Sequence, residues 1–301
     1  MFKTTEKLML LLCGDFNDGL TPLGLKQFRK LSERVRNNLF FSPDKELTRS
    51  DFFDLGYDEE ESKKIFELIS RENSVRCELE RLAGMGIFPL TRISTEYPKS
   101  ILEKLGDSAP MVLFYAGNLD LLKNAAIALV GSREISVQGA TFARALGETA
   151  AKSGLTLVSG GANGADIIAQ TAALANGGSV ICFRPDGLVN NINKLSNEIA
   201  AGKLLVITER GADISFSSAT AASRNRLIHC YSDRVFVAGS DYKKGGTWSG
   251  TETNLKKGYS KVYVFDDGSA GCSGLIGLGG EPIGLSDLDK IEGNSQDRSL
   301  R

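Results

Sequence analysis

The chain has 301 residues, 42% of them hydrophobic and 24% charged, with a formal net charge of −1. These values describe an ordinary soluble globular protein of one large domain or two, and they exclude a globally basic nucleic-acid binder. A local basic groove stays open, because a binding field depends on how charges cluster and not on their sum. Five scattered cysteines without a C-x-x-C pair fit reduced thiols in a cytoplasm, not a disulfide framework. The apolar run Leu8–Cys13 is too short for a membrane span and lacks a secretory cleavage pattern.

Residues 1 to about 85 read as helical and charged. Thr4–Leu12 forms a first helix, stopped by the Gly14–Gly19 cluster. Thr21-Pro22-Leu23 restarts one, with Thr as N-cap and Pro at the first helical position. Ser50–Leu55, Asp58–Ile69 and Ser74–Met85 give three more short helices. On composition alone this module is a docking or interaction domain without chemistry.

Gly86-Ile-Phe-Pro and Tyr97-Pro98 punctuate the passage into a glycine-rich region. Ala109–Gly117 reads as a strand, and Ala126–Val130 as a fully buried parallel strand that stops at Gly131-Ser132-Arg133. A helix follows from about Ser136 to Lys152, with Phe142, Ala145, Leu146, Thr149 and Ala150 on one face. Short β-rich runs recur at Leu155–Ser159, Ser179–Phe183, Leu204–Thr208, Val235–Gly239 and Lys261–Phe265. Strands alternating with helices predict an α/β fold, an extended Rossmann-like parallel or mixed sheet, with an N-terminal helical domain. Residues Asn294–Arg301 read as a polar tail.

In such sheets ligands bind outside the carboxyl ends of the strands. The turn Gly131-Ser132-Arg133 offers backbone N–H groups at a helix N-terminus together with a forked cation, a combination that suits phosphate. The turn Ser159-Gly160-Gly161-Ala162-Asn163-Gly164-Ala165-Asp166 is dense enough in glycine to form an anion nest, with Asp166 either capping the next helix or touching a ligand. Arg184-Pro185-Asp186-Gly187 adds a cation. Arg224-Asn225-Arg226 suits phosphate and sugar contacts; the alternative is a solvent-facing pair, or one held by a carboxylate such as Asp233. Lys243 and Lys244 introduce a glycine–threonine loop, residues 245–251, in which Trp248 either stacks on a base or packs on the sheet edge. The lone histidine, His229, reads as a core or helix residue. It leaves no histidine-rich metal site and no two-histidine relay. There is no Walker A motif and no G-x-G-x-x-G at the first turn, so neither a cofactor, a metal nor a catalytic residue is expected.

In this order the motifs resemble the DNA-processing protein A family, DprA, also called Smf. The resemblance rests on Gly131-Ser132-Arg133, the Ser159–Asp166 turn, Arg224-Asn225-Arg226-Leu227-Ile228, and a lead-in of Tyr97-Pro98 with Ala109–Gly117. It implies a core over residues 86–284, an N-terminal domain over residues 1–85 of SAM or helix-hairpin-helix type, and a tail over 285–301. It further implies a cytoplasmic homodimer that binds and protects single-stranded DNA without hydrolysing it and helps load RecA recombinase on it, as in natural transformation. DNA contact is carried over to Gly131, Ser132, Arg133, Arg224, Asn225 and Arg226. Gly160, Gly161, Asn163 and Gly164 are phosphate-site candidates as members of the second glycine turn, and Lys243, Lys244 and Trp248 on chemical grounds. Asn163 stands where the family usually carries arginine, and the Gly-Gly-Thr-Trp-Ser-Gly-Thr stretch replaces a Ser-Gly-Ser-Leu-Ile-Thr loop. The competing readings are a nucleotide-binding sensor and a LOG-like phosphoribohydrolase; for the latter, Gly250-Thr251 is present but Asn254 takes the place of the expected glutamate.

Overall fold

A computed structural model describes residues 4–37 and 47–291. Five helices come first: α1 Thr4–Cys13, α2 Leu25–Arg36, α3 Arg49–Asp54, α4 Glu59–Ser70 and α5 Glu72–Gly84. The second begins later than expected. Gly24 is its N-cap, and Leu23, placed in its first turn by the sequence reading, is instead buried ahead of it. Strand β1 (Ile87–Thr91), helix α6 (Lys99–Leu105) and strand β2 (Val112–Gly117) lead into β3 (Ala126–Val130) and α7 (Val137–Lys152). Then come β4 (Thr156–Ser159), α8 (Ala165–Ala175), β5 (Ser179–Arg184), two short helices α9 (Val189–Ile192) and α10 (Ser196–Ala200), and β6 (Leu204–Thr208). The chain closes with α11 (Ser218–Tyr231), β7 (Arg234–Val237), α12 (Gly245–Lys257), β8 (Lys261–Phe265), α13 (Ala270–Gly277) and β9 (Glu281–Ile283).

The strands form one mixed sheet in the order β1-β2-β6-β5-β4-β3-β7-β8-β9. From β6 to β9 every neighbour is parallel, and β1 and β2 add an antiparallel edge. The chain runs outward from β3 through β4, β5 and β6, then returns across the sheet to β7 on the other side of β3. Strand order therefore reverses between β3 and β7, the position where doubly wound sheets open a ligand crevice.

Side chains alternate between the faces, as the pleat demands. Leu129, Leu157, Val180, Val206 and Phe236 face α7 and α8, where Phe142, Leu146 and Ala169 are buried. The same apolar cluster continues into the N-terminal helices through Leu10, Leu12, Phe52 and Leu68. On the opposite face Val130, Val158, Ile181, Phe183, Leu205 and Val237 meet Leu227 and Ile228 of α11, Trp248 of α12 and Leu275 of α13. The segment after β9, expected to begin the tail, is instead a 3-10 helix, Leu285–Lys290, with Leu288 and Ile291 buried against the first face. Residues 292–301, the rest of that expected tail, lie outside the described residues.

Two departures from the sequence reading have simple causes. Strand β1 is a short edge strand interrupted by Pro89, so its pattern is weak, and Phe88 faces out against Tyr115. The glycine–threonine stretch 245–251 is no loop but the first turns of α12. Its glycines are poor helix formers, yet they let α12 lie close on α11. A Cβ at Gly246 would stand 2.9 Å from the Asn225 amide, and one at Gly250 would stand 3.2 Å from His229 Nε2.

Candidate nucleic-acid interface

The carboxyl ends of β3, β4, β5, β6 and β7 gather the predicted residues at one edge, but they hold them very differently. At the switch point Ser132 N–H donates to Gly239 O (3.0 Å), joining the loop after β3 to the loop after β7. Ser136 caps α7, its hydroxyl accepting from Gly139 N–H at 3.0 Å. Arg133, between these anchors, is exposed. Its guanidinium lies 5.1 Å from the ring of Phe216, which is 48% exposed and belongs to the segment between β6 and α11. The two loops thus meet over the ends of the strands that separate them. Lys243 and Lys244 are also exposed, ahead of an α12 N-terminus that carries no side-chain cap. Among the described residues none of these three cations lies within ion-pair distance of a carboxylate.

The turn after β4 is closed on itself. Asp166, 5% exposed, accepts from Gly160 N–H (3.1 Å) and Ala162 N–H (3.3 Å) through one oxygen. The N–H of Gly160, one of the expected phosphate-site residues, is therefore already engaged, as is that of Ala162 beside it. Burial pushes the Asp166 carboxyl up to about 6, against the pull of Arg224 and of these two backbone bonds. Gly164 has φ +86, and a Cβ there would run into the backbone carbonyls of Ser132 and Arg133, so the second turn presses directly on the first. Gly161 is half-buried beneath Arg184, whose Nη1 donates to Gly161 O at 3.2 Å, and Asn163 is exposed.

The other predicted cations are engaged elsewhere. Arg184 forms a two-pronged pair with Asp186, at 3.0 Å on each prong. Arg224, expected to meet phosphate, is 5% exposed and lies under the turn, where it donates to Gly160 O and Phe183 O. Its Nε also donates to Asn225 Oδ1 at 3.1 Å. Asn225 in turn donates to Gly246 O (3.0 Å), tying α11 to the start of α12. Arg226 is partly exposed, pairs with Glu209 and donates to Ser108 O at 3.0 Å; Asp233 is held instead by Lys104. A helix places residues 224 and 226 on different sides, which is why the two arginines part.

Trp248 is 5% exposed and packs edge-on against Tyr242 at 5.1 Å. Of its two expected roles, packing on the sheet is the one realised, and the indole is not on the surface. Phe216 is the exposed aromatic beside Arg133 instead. In the sequence it is isolated among serines, and only its contact with Arg133 marks it.

Behind α12 lies a buried polar seam. Asn254 is fixed by Ser260, whose N–H donates to Asn254 Oδ1 at 2.9 Å, so Asn254 Nδ2 faces His229 Nδ1 at 3.0 Å. Burial alone pulls the His229 imidazole down to about 4, which keeps it neutral at ordinary pH. Asn254, the residue in the hydrolase glutamate position, is fully buried here, and Glu252 is taken up by Lys256 at 2.9 Å. Neither supplies a carboxylate to the edge. No group of three or more metal-ligating side chains occurs among the described residues, and none of their helices is long and apolar enough to cross a membrane.

The fold is a doubly wound α/β sheet with exposed cations and glycine turns at its switch point, the position where sheets of this architecture hold their ligands. A sequence model of the family described as DNA recombination-mediator protein A matches residues 89–290, and the chain belongs to that family. It is 34% identical over 182 residues to the DNA processing protein DprA of Streptococcus pneumoniae, covering 58% of this chain and 64% of that one. It is 32% identical over 154 residues to protein Smf of Escherichia coli, covering 50% and 40% respectively. The matched region thus spans less than two thirds of these relatives. The fold is similar to the crystal structure of the pneumococcal protein, with a TM-score of 0.71 at 28% identity over 96% of this chain and 98% of that one. It is also similar to DNA processing protein A from Helicobacter pylori, a structure described for its single-stranded DNA binding mode, with a TM-score of 0.57 at 28% identity over 68% and 93%.

Proposed function

We propose that this chain binds single-stranded DNA along the carboxyl edge of its sheet, by its backbone and without hydrolysing it. The observation that carries this reading is Arg133. It is an exposed guanidinium at the switch point, without a carboxylate partner among the described residues, and it lies against the exposed ring of Phe216. A phosphate meets the Arg133 guanidinium beside the Gly131-Ser132 turn, while an unstacked base finds the face of Phe216. Lys243 and Lys244 extend the positive track, and Asn163 supplies an uncharged polar contact beside it. Arg224, Asn225 and Arg226 act one layer below, holding the turns and α12 in place. Such binding is largely independent of sequence and weakens with salt.

Family membership and the similarity to the Helicobacter protein support this reading. We extend it to a cytoplasmic homodimer that protects the strand and helps load RecA recombinase on it. In this division of labour residues 86–284 carry the strand and the helices within residues 1–85 serve them.

The deciding experiment is fluorescence anisotropy with labelled oligo-dT and a matched duplex at two salt concentrations, with free nucleotides as competitors. Salt-sensitive binding that prefers the single strand is expected. Saturable binding of a nucleotide with no affinity for oligo-dT would overturn the proposal.

A further inference from the structure

The segment 209–217 links β6 to α11 and presents two residues at the interface, Glu209 and Phe216. Its far end, residues 215–217, is exposed. Its middle, residues 211–214, is gripped from two sides. From the turn after β5, Gly187 N–H donates to Ile214 O (2.7 Å) and Val189 N–H to Ala212 O (3.1 Å).

From the other side comes the helical module. Gly211 is buried against the loop after α1: a Cβ there would stand 2.9 Å from Asp15 O, 3.1 Å from Asp15 Oδ1 and 3.3 Å from Asn17 N. Asp213 pairs with Arg81 of α5. The loop that receives Gly211 is itself clamped. Arg71, 6% exposed, donates to Leu11 O and to Gly14 O (2.9 Å) and pairs with Asp18 at 2.8 Å. Its guanidinium lies 5.4 Å from the ring of Phe16, which packs edge-on against Phe114 of β2 at 5.7 Å. A buried guanidinium that spends its donors on one loop's carbonyls leaves that loop a single conformation.

We infer that the N-terminal helical module positions the interface: its loop after α1 and Arg81 brace residues 211–214 and so hold Phe216 against Arg133. The inference rests on the single-strand reading above. Gly211 and Arg81 are positioning residues and touch no DNA.

The test uses the full chain and three variants, Gly211→Val, Arg81→Ala and Arg81→Lys, each checked for an intact melting transition by circular dichroism. Gly211 has no left-handed backbone, so valine is opposed by packing, beginning with the Asp15 and Asn17 atoms it would displace. Hydrogen exchange without DNA reads the Ile214 and Gly187 amides. Exchange is expected to rise about tenfold in Gly211→Val and about threefold in Arg81→Ala, where an exposed ion pair is lost, and to stay at the wild-type rate in Arg81→Lys. Affinity for oligo-dT is expected to fall in the same order, with the salt slope unchanged, since no phosphate contact has been removed. Should Gly211→Val lack a melting transition, Arg81→Ala against Arg81→Lys decides. Faster exchange with unchanged affinity overturns the inference, and so does unchanged exchange. A wild-type chain that fails to bind oligo-dT overturns the single-strand reading and this inference with it. Variants that bind as well as a binding wild type overturn the bracing alone.

Discussion

The turns after β3 and β4 both open on a glycine, both follow a buried parallel strand and both lead into a helix, yet they end up in opposite states. The first leaves Arg133 exposed at the switch point. The second folds inward: Asp166 takes up Gly160 and Ala162 N–H, while Arg224 takes up Gly160 O from beneath. Glycine content makes a nest possible. Whether it stays open depends on whether the chain also supplies a buried carboxylate to fill it. Here the closed turn serves as a floor for the open one, since Gly164 presses on the carbonyls of Ser132 and Arg133.

The sharpest way to break this contrast is Arg224→Ala. It strips the Gly160 and Phe183 carbonyls of their donor and leaves Asp166 buried without its cation, so unfolding in denaturant is expected to show a loss of about 3–5 kcal/mol. Wild-type stability, combined with weaker DNA binding and a flatter salt slope, would instead make Arg224 a phosphate contact and the second turn an open one.

Asp166 gives the next effect through pH. Its carboxyl titrates near 6 in the folded protein against 3.8 for the ordinary group. The folded state thus holds the proton more tightly. The stability this contributes is fully present below about pH 4 and is lost as pH rises through 6. Compared with Asp166→Asn, the wild type is expected to lose about 2.5 kcal/mol between pH 4 and pH 7. His229, pulled down to about 4, runs in the opposite sense but is common to both proteins and drops out of the difference. A difference that does not change with pH would mean that Asp166 is not the buried plug of the second turn.

The open turn answers to Arg133→Ala. Affinity for oligo-dT is expected to drop about tenfold for all sequences alike, and the salt slope to flatten by about one unit, with the denaturation midpoint unmoved. The smallest effect belongs to Trp248. Because the indole is buried against Tyr242, its emission is expected to be indifferent to oligo-dT, and Trp248→Phe to bind as the wild type does. Quenching by the strand would return Trp248 to the interface.

The parallel core was legible in the sequence because strands buried on both faces are apolar runs, and most of β3 to β8 have that form. The position of the edge was legible as well, since it follows from strand order. The state of its charges was not. Nothing in Arg224-Asn225-Arg226 tells that the first arginine goes inward and the third sideways, because that depends on carbonyls contributed by Gly160, Phe183 and Ser108, dozens of residues away. Helix α12 was hidden for a related reason. Its local propensity argues for a loop, and only close contact with Asn225 and His229 makes glycine the fitting residue. Phe216 carries no periodic signal at all.

The place of β3 in the sheet also orders events in time. One of its neighbours, β4, emerges from synthesis about 30 residues later, but the other, β7, follows after more than a hundred, and Ser132 waits for Gly239. Until then β3 is a bare parallel edge, the kind of strand that invites wrong pairing in a growing chain. The crevice is thus among the last features to be assembled, and a fragment ending before residue 234 carries Arg133 and Phe216 without the Gly239 carbonyl that anchors Ser132.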